Sequence, residues 1–452
     1  MKVDLLNGKL NKTYFTMLFS AIASTIVTTI YSTVDMICIG HYAGPDGAAS
    51  VAITNPLWAL MFAFGVMMGV GGSVMMGNRR GAGDEQSANE YFTVATVTTI
   101  ILSIILVVTY TVFLEPLLTL FGASGNVLDL GADYMRAMMF AVPTFPMCAC
   151  LATFARTDGE AMIPTVATII GGVLNMFLDV FLVFTCDLGV TGAGLATGIG
   201  QFVAFLIIAS YFFTKKCNLK FTKVRNIPSV LFRIATVGFA GFIIEITSGI
   251  TTTVHNIVIT ENLSNAHLAV YGATSTMIIM FFCLFNGIGT AAQPLIATAN
   301  GGGNEQRVNG TLKLAFSTAA VMGILFFSMC QLFPETILRV YMDVDAEVLA
   351  IGPSIIRMYS ISLLVVGFSM VCNYYFQSTL MRVTCVIISL LRGLVCPVAF
   401  VLILPEIFDY NAIWLAVPIG EIITMSVALT IFAIRKKAKK PTLSTFLLAD
   451  NL

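Results

Sequence analysis

Four acidic residues stand inside apolar runs long enough to cross a bilayer: Asp35, Asp179, Glu245 and Glu421. A carboxylate at that depth is costly, so it faces protein or a wet cavity and marks a pathway. Thr25, Thr28, Ser32 and Asp35 follow at spacings of three, four and three, which places them on one helix face. Glu245, Ser248, Thr252 and His255 repeat those spacings. Hydroxyls bonding back to their own helix account for Thr and Ser at such positions, but not for the acids. Gly172, Asn175 and Asp179 share a second face. The glycine permits close approach of another helix or a ligand, and Asn175 can donate to Asp179 one turn away.

Asp35 and Asp179 fall at similar distances from the outer ends of their runs, hence at similar depth. Two carboxylates brought together cannot both be ionised without a cation, so such a pair holds a proton. Asp35, Asn175 and Asp179 are also oxygen-only ligands that suit a hard metal cation such as Na+. The alternative is a structural pair that bridges two helices. Glu245 lies near mid-span, and Glu421 matches Gln201 of the first half. Either acid could meet a cationic substrate, and Glu421 could equally be satisfied by Arg392.

The elements that must position these residues follow from composition and repetition. Hydrophobic residues make up 57% of the chain and charged residues 11%, with a mean hydropathy of +0.90. A soluble domain carries about 25% charged residues, so the chain is a polytopic membrane protein. Its net charge of zero adds nothing about partners, and no nucleic-acid partner is expected. Apolar runs lie near 14–38, 50–76, 91–114, 132–153, 161–185, 190–213, 232–260, 268–293, 311–333, 351–376, 383–404 and 411–434. A helix needs about 20 residues to span, and runs of this length exclude barrel strands.

The sequence also repeats itself. Residues 32–35 (STVD) are echoed by 252–255 (TTVH), 81–86 (GAGDEQ) by 301–306 (GGGNEQ), and 199–201 (IGQ) by 419–421 (IGE). All three pairs share one offset of 220 residues, and 81–95 against 301–315 gives 6 identities in 15. Chance composition gives about one. A constant offset means a duplicated unit. Six spans per copy is even, so both copies enter from the same side. The expected fold is therefore all-α, with twelve transmembrane helices in two six-helix lobes, 1–218 and 219–452, related by a parallel pseudo-two-fold repeat. Ala399 stands where Asp179 would repeat and His255 where Asp35 would, so paired carboxylates are expected in the first lobe alone. His255 either titrates near neutrality or is simply hydrogen-bonded.

Lys2, Lys9, Lys12, Arg79, Arg80, Arg156, the basic residues of 215–225, Arg307, Lys313, Arg382 and Arg435 to Lys440 fall on one side. Asp46, Asp129, Asp187, Asp343, Asp345 and Glu347 fall on the other, with Arg136, Arg339 and Arg357 as exceptions. The positive-inside rule then places both termini in the cytoplasm of a plasma (inner) membrane protein. No cleaved signal peptide is expected, because no small-residue cleavage site follows the first span. Ten cysteines without a CxxC pair argue against a zinc site or disulfide framework. The glycines at 81–83 and 301–303 read as tight turns rather than phosphate loops, since no Gly-Lys-Ser/Thr follows. Neither HExxH nor GxSxG occurs, so no enzyme activity and no cofactor are expected.

Several short stretches together resemble one family. They are Tyr31 to Asp35 with Gly40, Asn55–Pro56, Arg80 to Gly83, Arg156 to Gly159, and Asn175 to Asp179 followed by Gly189 to Gly192. In the second half they are Gln293–Pro294, Leu391 to Gly393, and Ile413 to Ala416 with Pro418 and Glu421. In order and spacing the chain resembles the multidrug and toxic compound extrusion (MATE) transporters of the bacterial multidrug-efflux kind. The resemblance implies an antiporter that expels organic cations and other drugs on an inward Na+ or H+ gradient. By that resemblance Asp35, Asn175 and Asp179 form the cation-coupling site. Glu245 lies in the helix that carries a functional carboxylate in some members. Many members have a proline in the first helix where Ser20 stands here, and Ala240 is its repeat.

The function expected is secondary antiport by competition between ion and cargo, with the lobes rocking about a cleft. Further contacts to cation or substrate are expected from Thr28, Ser32, Gln201, Glu245, Ser248, Thr252, His255 and Glu421. The cargo expected is small and amphipathic or cationic, carried by a monomer in the lipid bilayer. The rival is a flippase for a lipid-linked or amphipathic substrate, which would favour a basic cleft over these acids.

Overall fold

The computed structural model describes residues 2–341 and 346–437. Asp343, Asp345, Lys439 and Lys440, and the side chains of Ser248, Arg435, Lys436 and Lys437, lie outside the described residues.

Among the described residues, twelve helices are long and apolar enough to span a bilayer. They are α1 (Leu10–Gly44), α2 (Asp46–Gly81), α3 (Glu85–Leu120), α4 (Met139–Thr157), α5 (Met162–Thr185) and α6 (Gly189–Phe212) in the first half. The second half has α7 (Ile227–Asn262), α8 (Ala266–Gly301), α9 (Glu305–Leu332), α10 (Ala346–Ser378), α11 (Arg382–Ile407) and α12 (Tyr410–Ile434). No strand occurs among the described residues. The chain is thus an all-α polytopic membrane protein with six spans in each half of its repeat. Several helices outrun the apolar stretches that reveal them. At 1.5 Å per residue, the 36 residues of α2 extend about 54 Å, against a hydrocarbon core of about 30 Å. A helix satisfies its own backbone polar groups, so it need not stop where hydropathy falls.

α1 passes into α2 through Gly44, whose φ of 63° and ψ of −153° break the helix. Only glycine adopts that conformation without strain. The duplicated turn motif is the same device used twice. Gly83 (φ 83°) ends α2, and Asp84 then caps α3 by accepting from the Ser87 amide at 3.0 Å. Gly303 (φ 66°) ends α8, and Asn304 caps α9 by accepting from the Arg307 amide at 2.9 Å. A short helix, Gly125–Ala137, precedes α4.

By backbone contacts the chain forms two compact units, Met1–Gly8 with Phe19–Ile246, and Lys9–Leu18 with Thr247–Leu452. The first has a core around Leu57, Met61, Tyr110, Tyr134 and Phe145. Trp58 stands edge-on to Phe145 at 4.5 Å. Within the same unit, Ser20 of α1 donates to the Ala161 carbonyl at 2.7 Å and bonds to Thr165. Ser20 therefore ties α1 to the start of α5. In the second unit, α10 packs on α8, α9 and α12.

Candidate cation site

The site starts from two glycines. A Cβ added to Gly171 would lie 2.6 Å from the Gly200 carbonyl oxygen, and one added to Gly200 would lie 2.6 Å from that of Gly171. Small residues at this crossing draw α5 and α6 together. The two helices run antiparallel, so the residue one turn after Gly171 meets the residue one turn before Gly200. Asn175 accordingly donates through Nδ2 to Thr197 Oγ1 at 3.3 Å.

One turn further along α5, Asp179 meets α1. Its carboxyl group and that of Asp35 lie within hydrogen-bonding reach of each other. Tyr134, from the short helix, donates its hydroxyl to Asp35 Oδ2 at 3.2 Å and lies 3.5 Å from Thr197 Oγ1. Asp35, Asn175 and Asp179 are 7%, 3% and 0% exposed, which removes water as the general partner of their oxygens. With both aspartates taken as ionised, Asp35 Oδ1, both Asp179 oxygens and Asn175 Oδ1 receive no hydrogen bond. Buried oxygens without donors are expensive. A proton or a small hard cation answers that deficit, because it supplies positive charge to several oxygens at once. α5 becomes π-helical over Phe181–Thr185, directly after Asp179, a distortion frequent at functional sites.

A cavity of about 160 Å³ opens beside the cluster. Asn175 and Thr197 belong to both, and Thr28, Tyr31, Phe62, Phe145 and Gln201 also line it. Among its lining residues none is basic.

A sequence model of the MatE family matches residues 20–181 and 229–403, which include Asp35, Tyr134, Asn175, Asp179 and most of both repeats. The chain belongs to the MatE family. It is similar to the multidrug export protein MepA of Staphylococcus saprophyticus, with 26% identity over 385 residues and 84% of each chain covered. It is also similar to MepA of Staphylococcus aureus, with 25% identity over 398 residues, 86% of this chain and 85% of the relative. A solved outward-facing multidrug resistance MATE family transporter of the MOP superfamily superposes with a TM-score of 0.88. That match has 23% identity and covers 97% of this chain and 98% of the other. The chain is thus a membrane transporter and not an enzyme.

The other expected contacts of this MatE protein divide. Thr28 and Gln201 line the cavity, although the Thr28 hydroxyl also bonds back to the Ser24 carbonyl at 3.0 Å. Ser32 and Thr252 are exposed and outside the cluster, and Glu245 is half-buried on α7. His255 is buried, sets Nδ1 2.9 Å from the Thr251 carbonyl oxygen, and stacks on Tyr271 with centroids 5.4 Å apart. Glu421 is held inside its own unit. Arg392 Nε donates to Oε1 at 2.8 Å and Ser369 donates to Oε2 at 2.5 Å.

Two members of the cluster escaped sequence reasoning. Thr197 sits between Gly194, Gly198 and Gly200, where the glycines read as packing. Tyr134 lies on a 13-residue amphipathic helix, Gly125–Ala137, that is too short to span. The repeat register also needs a correction. The offset has grown to 221 before α11 begins: Leu380 (φ 60°) stands in the turn before α11 where Gly159 (φ 92°) stands in the turn before α5. A Cβ on Gly200 would meet Asn175, and one on its repeat Gly420 would meet Cys396. Cys396 therefore matches Asn175, and Phe400 rather than Ala399 matches Asp179. Neither is acidic, so among the described residues the two-carboxylate contact belongs to the first half.

Proposed function

We propose that this MatE transporter exports small amphipathic or cationic drugs in exchange for Na+ or H+. The exchange centres on Asp35, Asn175 and Asp179, with Thr197 and Tyr134 completing the site. The observation that carries this reading is the set of four buried oxygens, drawn from two helices, that receive no hydrogen bond. In the outward-facing state the pair takes up the ion, which changes the packing of α1 against α5. That change weakens cargo binding beside it. Ion and cargo then favour different states, which is the thermodynamic requirement for coupling.

The cavity supports a cationic or amphipathic cargo. Aromatic faces of Tyr31, Phe62 and Phe145 line it together with the polar groups of Thr28 and Gln201. Aromatic faces attract cations, and a mostly apolar wall with a few polar groups suits small ligands. A lipid-linked pyrophosphate would need basic groups there. We further infer a monomer with both termini in the cytoplasm.

The test is dye-cation efflux in proteoliposomes, with the sodium and proton gradients collapsed separately. Asp35→Asn and Asp179→Asn are each expected to abolish gradient-driven efflux while membrane insertion stays normal. Because the pair acts as a unit, the double variant is no worse than either single. Gradient-driven efflux at the parent rate in both variants would remove the assignment.

A further inference from the structure

The cavity of the first half has a counterpart in the second, and there it is filled. Four residues that line the cavity, Phe62, Cys148, Gly171 and Gln201, can be matched through the repeat. Gln201 matches Glu421 and Phe62 matches Phe282 at the common offset. The 3₁₀ turns Met139–Ala141 and Ser360–Ser362 align Cys148 with Ser369. A Cβ on Gly172 would meet Val27, and one on Gly393 would meet Thr247, the repeat of Val27. That match aligns Arg392 with Gly171 at the same offset of 221 that pairs Cys148 with Ser369.

These four counterparts form one cluster. Arg392 donates to Glu421 at 2.8 Å, Ser369 donates to the other oxygen at 2.5 Å, and the guanidinium carbon lies 5.7 Å from the Phe282 ring centroid. The side chains of Arg392 and Glu421 are 11% and 5% exposed, so the pair is shielded from water. Where the first half has a glycine and a neutral amide beside open space, the second has a guanidinium and a carboxylate.

We propose that Arg392 is a tethered cation, and that Glu421, Ser369 and Phe282 form a guanidinium site occupied by the protein's own side chain. The site offers a carboxylate to accept, a hydroxyl to orient that carboxylate, and an aromatic face for the flat cation. The tether confines exchangeable cargo to the first half. Removing the side chain, as the repeat already does at Gly171, opens a second cavity with a buried acid at its wall. That cavity takes guanidinium and alkylguanidinium ions in preference to potassium.

Arg392→Gly and Arg392→Ala in the full-length purified transporter test this. Thermal unfolding is followed with millimolar guanidinium chloride, and with potassium chloride at equal ionic strength. A ligand that binds the folded state raises its stability in a saturable manner. The parent is expected to be indifferent to either salt at these concentrations. Both variants are expected to unfold at lower temperature, and guanidinium alone is expected to restore at least half of the loss. The restoration disappears when Glu421→Gln is added. It persists when Asp35→Asn is added, which separates this proposal from the ion-coupling site. If the variants survive extraction only poorly, the yield of monodisperse protein with and without guanidinium is the readout. Guanidinium-dependent yield in either variant supports the site. The absence of any guanidinium-specific gain in stability or yield, in both variants, overturns it.

Discussion

Tyr134 donates its hydroxyl to Asp35 across 3.2 Å, from the short helix before α4 to α1. A hydrogen bond to a charged group contributes about 1.5–3 kcal/mol. This one favours the ion-free carboxylate over its ion-bound form. Tyr134→Phe keeps the ring and removes the donor, so the site is expected to hold its ion about tenfold more tightly and to release it more slowly. The measurement is efflux rate against ion concentration in proteoliposomes. An unchanged concentration dependence would show that the hydroxyl does not act on the ion.

Gly172 sets how closely α1 approaches α5. A Cβ there would lie 2.8 Å from Val27 Cγ1 and 2.9 Å from Tyr31 Cδ1. Gly172→Ala must push α1 away, at about 1–3 kcal/mol for overpacking, and it parts Asp35 from Asp179. We expect a lower unfolding temperature together with loss of ion-coupled efflux. Gly40→Ala is the control on α1, since a Cβ there meets nothing within 4 Å. Equal behaviour of the two variants would refute the role given to Gly172.

Asp158 carries a different burden, that of holding one end of the first unit together. It accepts from Arg80 Nη1 at 2.6 Å, Lys2 Nζ at 2.9 Å, the Asn218 amide at 3.1 Å, and the Tyr211 hydroxyl. Its side chain is fully buried, against 30% exposure for Lys2. Asp158→Asn removes the buried charge that faces Arg80, leaving it only the exposed Glu85 at 3.2 Å among the described residues, and should destabilise by about 3 kcal/mol. Lys2→Ala removes a partly exposed partner and should cost about 1 kcal/mol or less. Thermal unfolding of the two variants in detergent gives the ranking, and the reverse order would contradict this account.

Membrane orientation can be read from two cysteines at opposite ends of α6. All ten cysteines are free; Cys186 is exposed, and Cys217 is half-buried in the linker after α6. With both termini cytoplasmic, an impermeant maleimide reaches Cys186 on intact cells and Cys217 only in everted vesicles. Burial pushes the Cys217 thiol up. The thiolate is the nucleophile, so labelling of Cys217 should keep accelerating with pH beyond the range of an ordinary thiol. Labelling of both from one face would overturn the proposed topology.

What the sequence determined by itself were properties that are local or that accumulate along the chain. The twelve spans were legible because bilayer thickness forces long apolar runs. The duplication was legible because a constant offset survives divergence at GAGDEQ and GGGNEQ, where a glycine turn and a capping side chain are needed twice. Asp35, Asn175 and Asp179 stood out because acids and amides are rare inside apolar runs. Only the tertiary structure decided which of these groups meet. Tyr134 and Thr197 joined the cluster through a short helix and the Gly171–Gly200 crossing, contacts that helical phase within a single run does not specify. Glu421 has the same rarity as Asp35, yet Arg392 neutralises it, and a one-residue shift of the repeat before α11 puts Phe400 rather than Ala399 in the place of Asp179. A residue's type and helical phase are written in the chain, but its partner depends on how closely two helices approach, and that distance is set by side chains far apart in sequence.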